Sequence, residues 1–217
     1  MESLINIQLI YNSLPLLLKG LSYSFLISFC ACFMGLLGGF ALTFILESPL
    51  KIIRFLGNIY VFLMRGTPMV IQILILFCTL PLLGIDIGQF WCATLATGMN
   101  SIAYMSQIIL VGIRSVPLGE IEAAQALGFK EKEIYRYIII PQAFARIFPS
   151  LINECITLIK DSSLAHIIGV GEIMYQAVII IGKTYDIISI YFIVALLYFL
   201  STSLLTLLLY LYEKKTL

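Results

Sequence analysis

Charge is what this sequence has least of. Lys, Arg, Asp and Glu make up 12% of its 217 residues, with a single His and a single Trp; a soluble domain carries about a quarter charged residues. The mean hydropathy is +1.05. These values exclude an ordinary soluble domain and predict one uninterrupted membrane domain over residues 1–217, surrounded by membrane lipid. A net charge of +1 without a basic patch excludes nucleic acid as a partner. Cys30, Cys32, Cys78, Cys92 and Cys155 lie in apolar runs without metal-ligand spacing. They read as small buried hydrophobes, and no metal site is expected. His166 has no second histidine beside it and reads as structural. The first twenty residues lack a basic start and a small-residue cleavage site, so the first hydrophobic segment is expected to stay in the membrane. The chain also lacks a GxxxxGK[ST] phosphate loop, an internal repeat and low-complexity tracts. It is therefore expected to bind no cofactor itself.

What the chain has is long apolar runs. A spanning helix needs about 20 mostly apolar residues. Residues 21–46, 60–83, 90–113 and 187–212 qualify, and residues 1–20 read as an amphipathic lead-in. Hydropathy does not settle residues 141–186, which hold Arg146, Asn153, Glu154, Lys160, Asp161, His166, Glu172 and Lys183. Charge bias does better. The basic clusters are Lys51, Arg54 and Arg65, the loop from Arg114 to Arg136, and the tail Lys214–Lys215. Positive residues favour the cytoplasmic side. Loop and tail share that side only if two spans separate them, so one span must lie between about Pro141 and Lys160. The result is an all-α integral membrane protein with five transmembrane helices, an external N-terminus and a cytoplasmic C-terminus. Residues 165–186 are expected as a short helix and turn near the outer face. Gly35 and Gly39, with Gly38 between them, form a small face expected to pack within the chain rather than as a dimer seam.

The scarce charge is concentrated in the longest inside loop, about residues 115–140, where "GEIEAAQALGFKEKEIYRYIIIPQAF" starts at Gly119. Pro117 suits a first helical turn, residues 121–127 are good helix formers, and Gly128 is placed as a C-terminal cap. A second helix is expected from about Lys130, entering the membrane near Pro141. Ala123, Ala124 and Ala126 leave little bulk, so the first helix suits a groove on another protein; the alternative is a helix lying on the bilayer.

Glu122-Ala123-Ala124, three residues, Gly128, nine residues, then Ile138-x-Ile140-Pro141 resembles the EAA loop of type I ABC importer permeases, with Ile140 in place of leucine. "RGTP" from Arg65, "NSIAY" from Asn100, "SVPLGEIEAAQALGF", "PQAF" and "KDSSLAHIIGV" resemble the branch that takes up polar amino acids. The resemblance implies the type I permease fold in a bacterial cytoplasmic membrane. It makes Glu122, Ala123, Ala124 and Gly128 a coupling element seated on a separate ATPase subunit, present in two copies, where ATP is used. It further implies an extracytoplasmic amino acid-binding protein and a second permease subunit, identical or related.

Three polar features inside the spans are candidates for the cargo. Arg65-Gly66-Thr67-Pro68 breaks the second span, and such breaks are tolerated where they line a cavity; Gly66 and Thr67 can donate to a carboxylate. Asn100 and Ser101 are polar within the third span, where interhelical hydrogen bonding is the competing role. Lys160-Asp161, followed by Ser162, places opposite charges where charge is costly, an arrangement suited to a zwitterion; an interfacial ion pair is the alternative. The resemblance implies that Gly66, Thr67, Asn100, Lys160 and Asp161 surround a central cavity, and Ser162 completes the candidate set. Gln72 faces either that cavity or a neighbouring helix. An apolar Val70 after the break favours a neutral cargo such as glutamine over arginine or lysine. An ion-coupled secondary carrier is the alternative function, opposed by the want of buried coupling carboxylates and of a repeat. A membrane enzyme is opposed by the want of any nucleophile or base paired with Glu122.

Overall fold

In the computed structural model, which describes residues 5–216, every regular element among those residues is helical. The order is α1 (Ile7–Leu46), α2 (Lys51–Gly66), α3 (Met69–Leu82), α4 (Gly88–Arg114), α5 (Leu118–Ala126), α6 (Glu131–Ile134), a π turn (Tyr135–Ile139), α7 (Ile140–Asp161), a 3-10 turn (Ser162–Ile168), α8 (Ile173–Thr184) and α9 (Ile187–Thr216). Ile7–Leu46, Gly88–Arg114 and Ile187–Tyr212 are each long and apolar enough to cross a membrane. Two bent pairs bring the count to five if each is one span: α2 with α3, at 107°, and Glu131–Ile168 with α8, at 50°. The side chain of Lys215, half of the basic tail, lies outside the described residues.

One expectation needs correction here. Residues 7–20 are no lead-in; they are the first part of one 40-residue helix. Asn6 caps it by accepting from the Leu9 N–H at 3.0 Å. Leu17 and Leu21 bury themselves with Ile173, Ala177, Ile190 and Val194, so α8 and α9 hold this turn in place. The second span is broken where expected, and the Gly66–Thr67–Pro68 break redirects the chain by 107°.

The centre is α1 against α4. A methyl group on Gly38 would sit 2.5 Å from Ile102, and one on Gly39 3.0 Å from Met105 Cβ. Gly35 likewise faces Ser101. The glycine face is therefore filled within the chain, as expected, and lets the two backbones approach closely. Thr43 Oγ1 donates to Gly39 O at 2.8 Å and lies 3.2 Å from Ser106 O. Arg114 and Glu47 form an ion pair at 2.6 Å, which ties the last turn of α4 to the end of α1. These matched ends make α1 and α4 parallel, so α2 and α3 together must carry the chain back across.

α7 runs antiparallel to α4. Ile147 covers Gly112 near the loop end, and Ser28 of α1 donates to Leu158 O at 3.0 Å near the other. Cys32 of α1 and Cys155 of α7 lie against each other with Cα atoms 5.8 Å apart, and both pack on the cluster of Ala31, Met105 and Leu158. The helix expected to run into the membrane near Pro141 does continue through it. Pro141 has no N–H and crowds the carbonyl four residues earlier, and the wider turn over Tyr135–Ile139 absorbs that defect. Beyond α7, Gly169 adopts φ +85° and the chain turns into α8. Glu172, fully buried, caps that helix by accepting from the Tyr175 N–H at 2.8 Å and the Met174 N–H at 3.0 Å. Ser24 donates to the same carboxylate at 3.3 Å. A buried carboxyl group with these partners is satisfied, and it closes the end of the bundle opposite the loop.

Candidate functional site

Pro68 cannot donate to the carbonyl four residues before it, so Met64 O is orphaned at the end of α2. Two side chains take it: Asn100 Nδ2 at 2.9 Å and Gln72 Nε2 at 2.8 Å. Asn100 Nδ2 also donates to Gln72 Oε1 at 3.1 Å, and Gln72 Nε2 lies 2.8 Å from Thr67 Oγ1. The Thr67 hydroxyl donates to Leu63 O at 2.8 Å. Asn100 therefore has the interhelical role as well as its place at the cavity, and Gln72 braces the break. Ile71 and Gln72 N–H both turn back to Pro68 O, which leaves the Met69 and Val70 N–H groups at the positive end of α3.

The braced break faces a cavity of about 310 Å³, lined by Thr67, Pro68 and Met69 on one side and by Asn100, Tyr104, Glu154, Thr157 and Asp161 on the other. Of the expected residues, Thr67, Asn100 and Asp161 meet here. Gly66 lines an adjacent cavity of about 580 Å³ with Arg65 and Tyr104. Lys160 is exposed and points away from the cavity lining, because successive residues of a helix face about 100° apart. Ser162 is buried and donates to Ile159 O at 2.7 Å, a local cap. Of the Lys160–Asp161 pair, only Asp161 lines the cavity. Val70 is absent from its lining, so it carries no argument for a neutral cargo.

Glu154 and Tyr104 line the cavity but were not among the expected residues. Glu154 precedes Asp161 by seven residues, two helical turns, which puts both carboxylates on one face of α7. That period was available in the sequence. Ser101 lies 3.5 Å from Glu154 Oε1. Tyr104 carries the Arg65 guanidinium 5.1 Å from its ring centroid. The Arg65–Pro68 turn is exposed, although neither a guanidinium nor open backbone can face hydrocarbon.

The second station is the loop. α5 ends at Ala126, and Gly128 follows with φ +85°. Phe129 N–H returns to Ala124 O at 3.1 Å, and the Lys130 N–H donates to Glu133 Oε2 at 2.7 Å to start the next helix. Glu122, Ala123 and Gly128 are exposed, as are Leu118 and Leu127 at 74% and 78%. Ala124 is buried with Val116, Ile134 and Ile139, so it belongs to the loop's own core rather than to its outer surface. Gln142 donates to Glu120 at 2.5 Å, which ties α5 to α7, and Arg146 donates to Ser115 at the end of α4.

Residues 35–217 match the family described as the binding-protein-dependent transport system inner membrane component. The arginine transport system permease protein ArtQ of Bacillus subtilis is 36% identical over 89% of this chain and 89% of its own length. The putative glutamine transport system permease protein GlnP of Rickettsia conorii is 33% identical over 94% of both. Among solved structures, an amino acid ABC transporter crystallised with histidines superposes with a TM-score of 0.93 at 34% identity, covering 97% of this chain and 99% of that one. The MetNI methionine ABC transporter in an inward-facing conformation superposes with a TM-score of 0.67 at 19% identity, over 90% and 95% of the two chains, and supports the fold alone.

Proposed function

The chain belongs to the family of binding-protein-dependent transport system inner membrane components, and from that premise we propose how its two stations move a polar amino acid across the membrane. It is an ABC importer permease for amino acids: a multi-pass transport subunit, not an enzyme, served by an ATPase and a solute-binding protein. The ion-coupled carrier reading is set aside.

The observation that carries the proposal is the single cavity shared by the Thr67 break, Asn100 and the carboxylates Glu154 and Asp161. An α-carboxylate fits the positive end of α3 beside Thr67. An α-ammonium fits the acidic wall formed by α7. The exposed turn from Arg65 to Pro68 needs water or protein over it, which favours a second permease, identical or related, against this face. α5 presents Glu122, Ala123 and Gly128 to one of two ATPase subunits. Closure of these subunits on ATP pushes α7 through its bonds to the loop, and the bundle alternates between two states. In this reading the loop and the C-terminus are cytoplasmic and the N-terminus is outside.

The test is reconstitution of the permease with its ATPase and binding protein in vesicles, followed by uptake of radiolabelled L-arginine and L-glutamine. ATP-dependent accumulation of either one supports the proposal. Accumulation without an ATPase, or of neither amino acid while ATP is hydrolysed, opposes it.

A further inference from the structure

The cargo cavity and a second cavity toward the loop end are separate volumes, about 310 Å³ and about 410 Å³, and one side chain borders both: Tyr104. The loop-end volume runs from Arg65 and Tyr104 to Ser115 and Arg146, which are hydrogen-bonded to each other beside α5. The ring also borders, with Arg65 and Gly66, the adjacent cavity of about 580 Å³, so it stands where the volumes on this face meet. The ring is also held: Arg65 lies in the last turn of α2 with its guanidinium 5.1 Å from the ring centroid, a cation–π distance. Among the described residues the one ion pair is Arg114–Glu47, so no carboxylate competes for Arg65. Arg65 is exposed, and the ring is the partner the structure gives its guanidinium.

We propose that Tyr104 is the gate between the cargo cavity and the loop-end vestibule, and that Arg65 is the positioning residue that holds its ring across the opening. The proposal rests on the transport reading above. α7 supplies the means of opening. It walls the cargo cavity with Glu154 and Thr157 and the vestibule with Ile147 and Ser150, and it continues directly from the loop. A stroke on the loop moves both walls past a ring that is anchored on α4 and α2. With the ring turned off Arg65, the two volumes become one passage.

The experiment uses the reconstituted complex in vesicles preloaded with radiolabelled L-arginine or L-glutamine, without ATP. Wild-type vesicles should hold the label. Y104A should release it about tenfold faster or more, equivalent to about 1.4 kcal/mol off the barrier. Y104F keeps the ring and should stay tight. R65A should leak and R65K should leak less, an order that a purely structural defect does not produce. Y104A vesicles as tight as wild type overturn the gate. Should Y104A not assemble, Y104C takes its place: a bulky maleimide should slow its leak while leaving identically treated wild type unchanged, and an unaltered Y104C leak overturns the gate. Wild-type uptake driven by ATP is measured in the same preparation. Its failure sinks the transport reading and the gate with it, whereas its success beside a tight Y104A sinks the gate alone.

Discussion

At the scale of single residues, the cavity separates side chains that hold the structure from side chains left for the cargo. The Asn100 amide nitrogen is committed to Met64 O and Gln72. Truncation to alanine leaves that carbonyl to Gln72 alone and is expected to cost about 1–3 kcal/mol of stability, the range for weakening a buried hydrogen-bonded site. The Asp161 carboxylate borders the cavity and is not held by a side-chain hydrogen bond such as those that commit Asn100. Asp161→Asn keeps its shape and removes its charge, so transport and folding should separate. Uptake should fall about tenfold or more, equivalent to losing about 1.4 kcal/mol of differential binding, while the unfolding midpoint moves by the small amount typical of a substitution away from the core, within about 0.5 kcal/mol. Transport by D161N at the wild-type rate would exclude the carboxylate from cargo recognition; a large loss of thermal stability would assign it to the scaffold.

At the scale of elements, the loop was more legible than the break. Pro117, the alanines and Gly128 are local signals, and each fixes a local outcome: helix start, helix body, left-handed stop. Span two carried the local signal Gly-Thr-Pro as well, but the size of the turn is set by partners distant in sequence. Asn100 and Gln72 donate to the orphaned carbonyl at the end of α2 and fix the angle at which α3 departs. Lys160 and Asp161 illustrate the same limit: neighbours in sequence, they diverge in space, while Glu154, seven residues away, joins the cavity. Nothing lies within 4 Å of a methyl group added to Gly128, so its requirement is conformational. A non-glycine residue in the left-handed region costs about 1–2 kcal/mol, and asparagine less than most. Gly128→Val should therefore distort the exit from α5 and lower amino acid moved per ATP hydrolysed, whereas Gly128→Asn should retain much of the coupling. The check is the ratio of uptake to hydrolysis in reconstituted vesicles. Equal ratios for wild type and Gly128→Val would mean that the geometry of this turn plays no part in transmission.

At the scale of the molecule, the bends decide how many times the chain crosses. α1 and α4 are parallel, so α2 and α3 make one return between them, and α7 is antiparallel to α4. α9 follows α8 and packs α8 against α1 near the end opposite the loop. With α8 turning back at that end, α9 starts there and its C-terminus arrives at the loop side. The first residues of α1 then lie on the opposite side from α5. That topology predicts a specific pattern of labelling. In right-side-out membrane vesicles, an impermeant maleimide should label Gln8→Cys without permeabilisation. It should label Gln125→Cys, on exposed α5, only after the membrane is opened. The exposed native Cys78 is replaced by serine in both variants to remove its background. Labelling of Gln125→Cys in sealed vesicles would place the loop outside, where no ATP-hydrolysing subunit could reach it. Equal labelling of both positions would require an even number of crossings between them, contradicting the single crossing of α1, the return through α2 and α3, and the second crossing of α4.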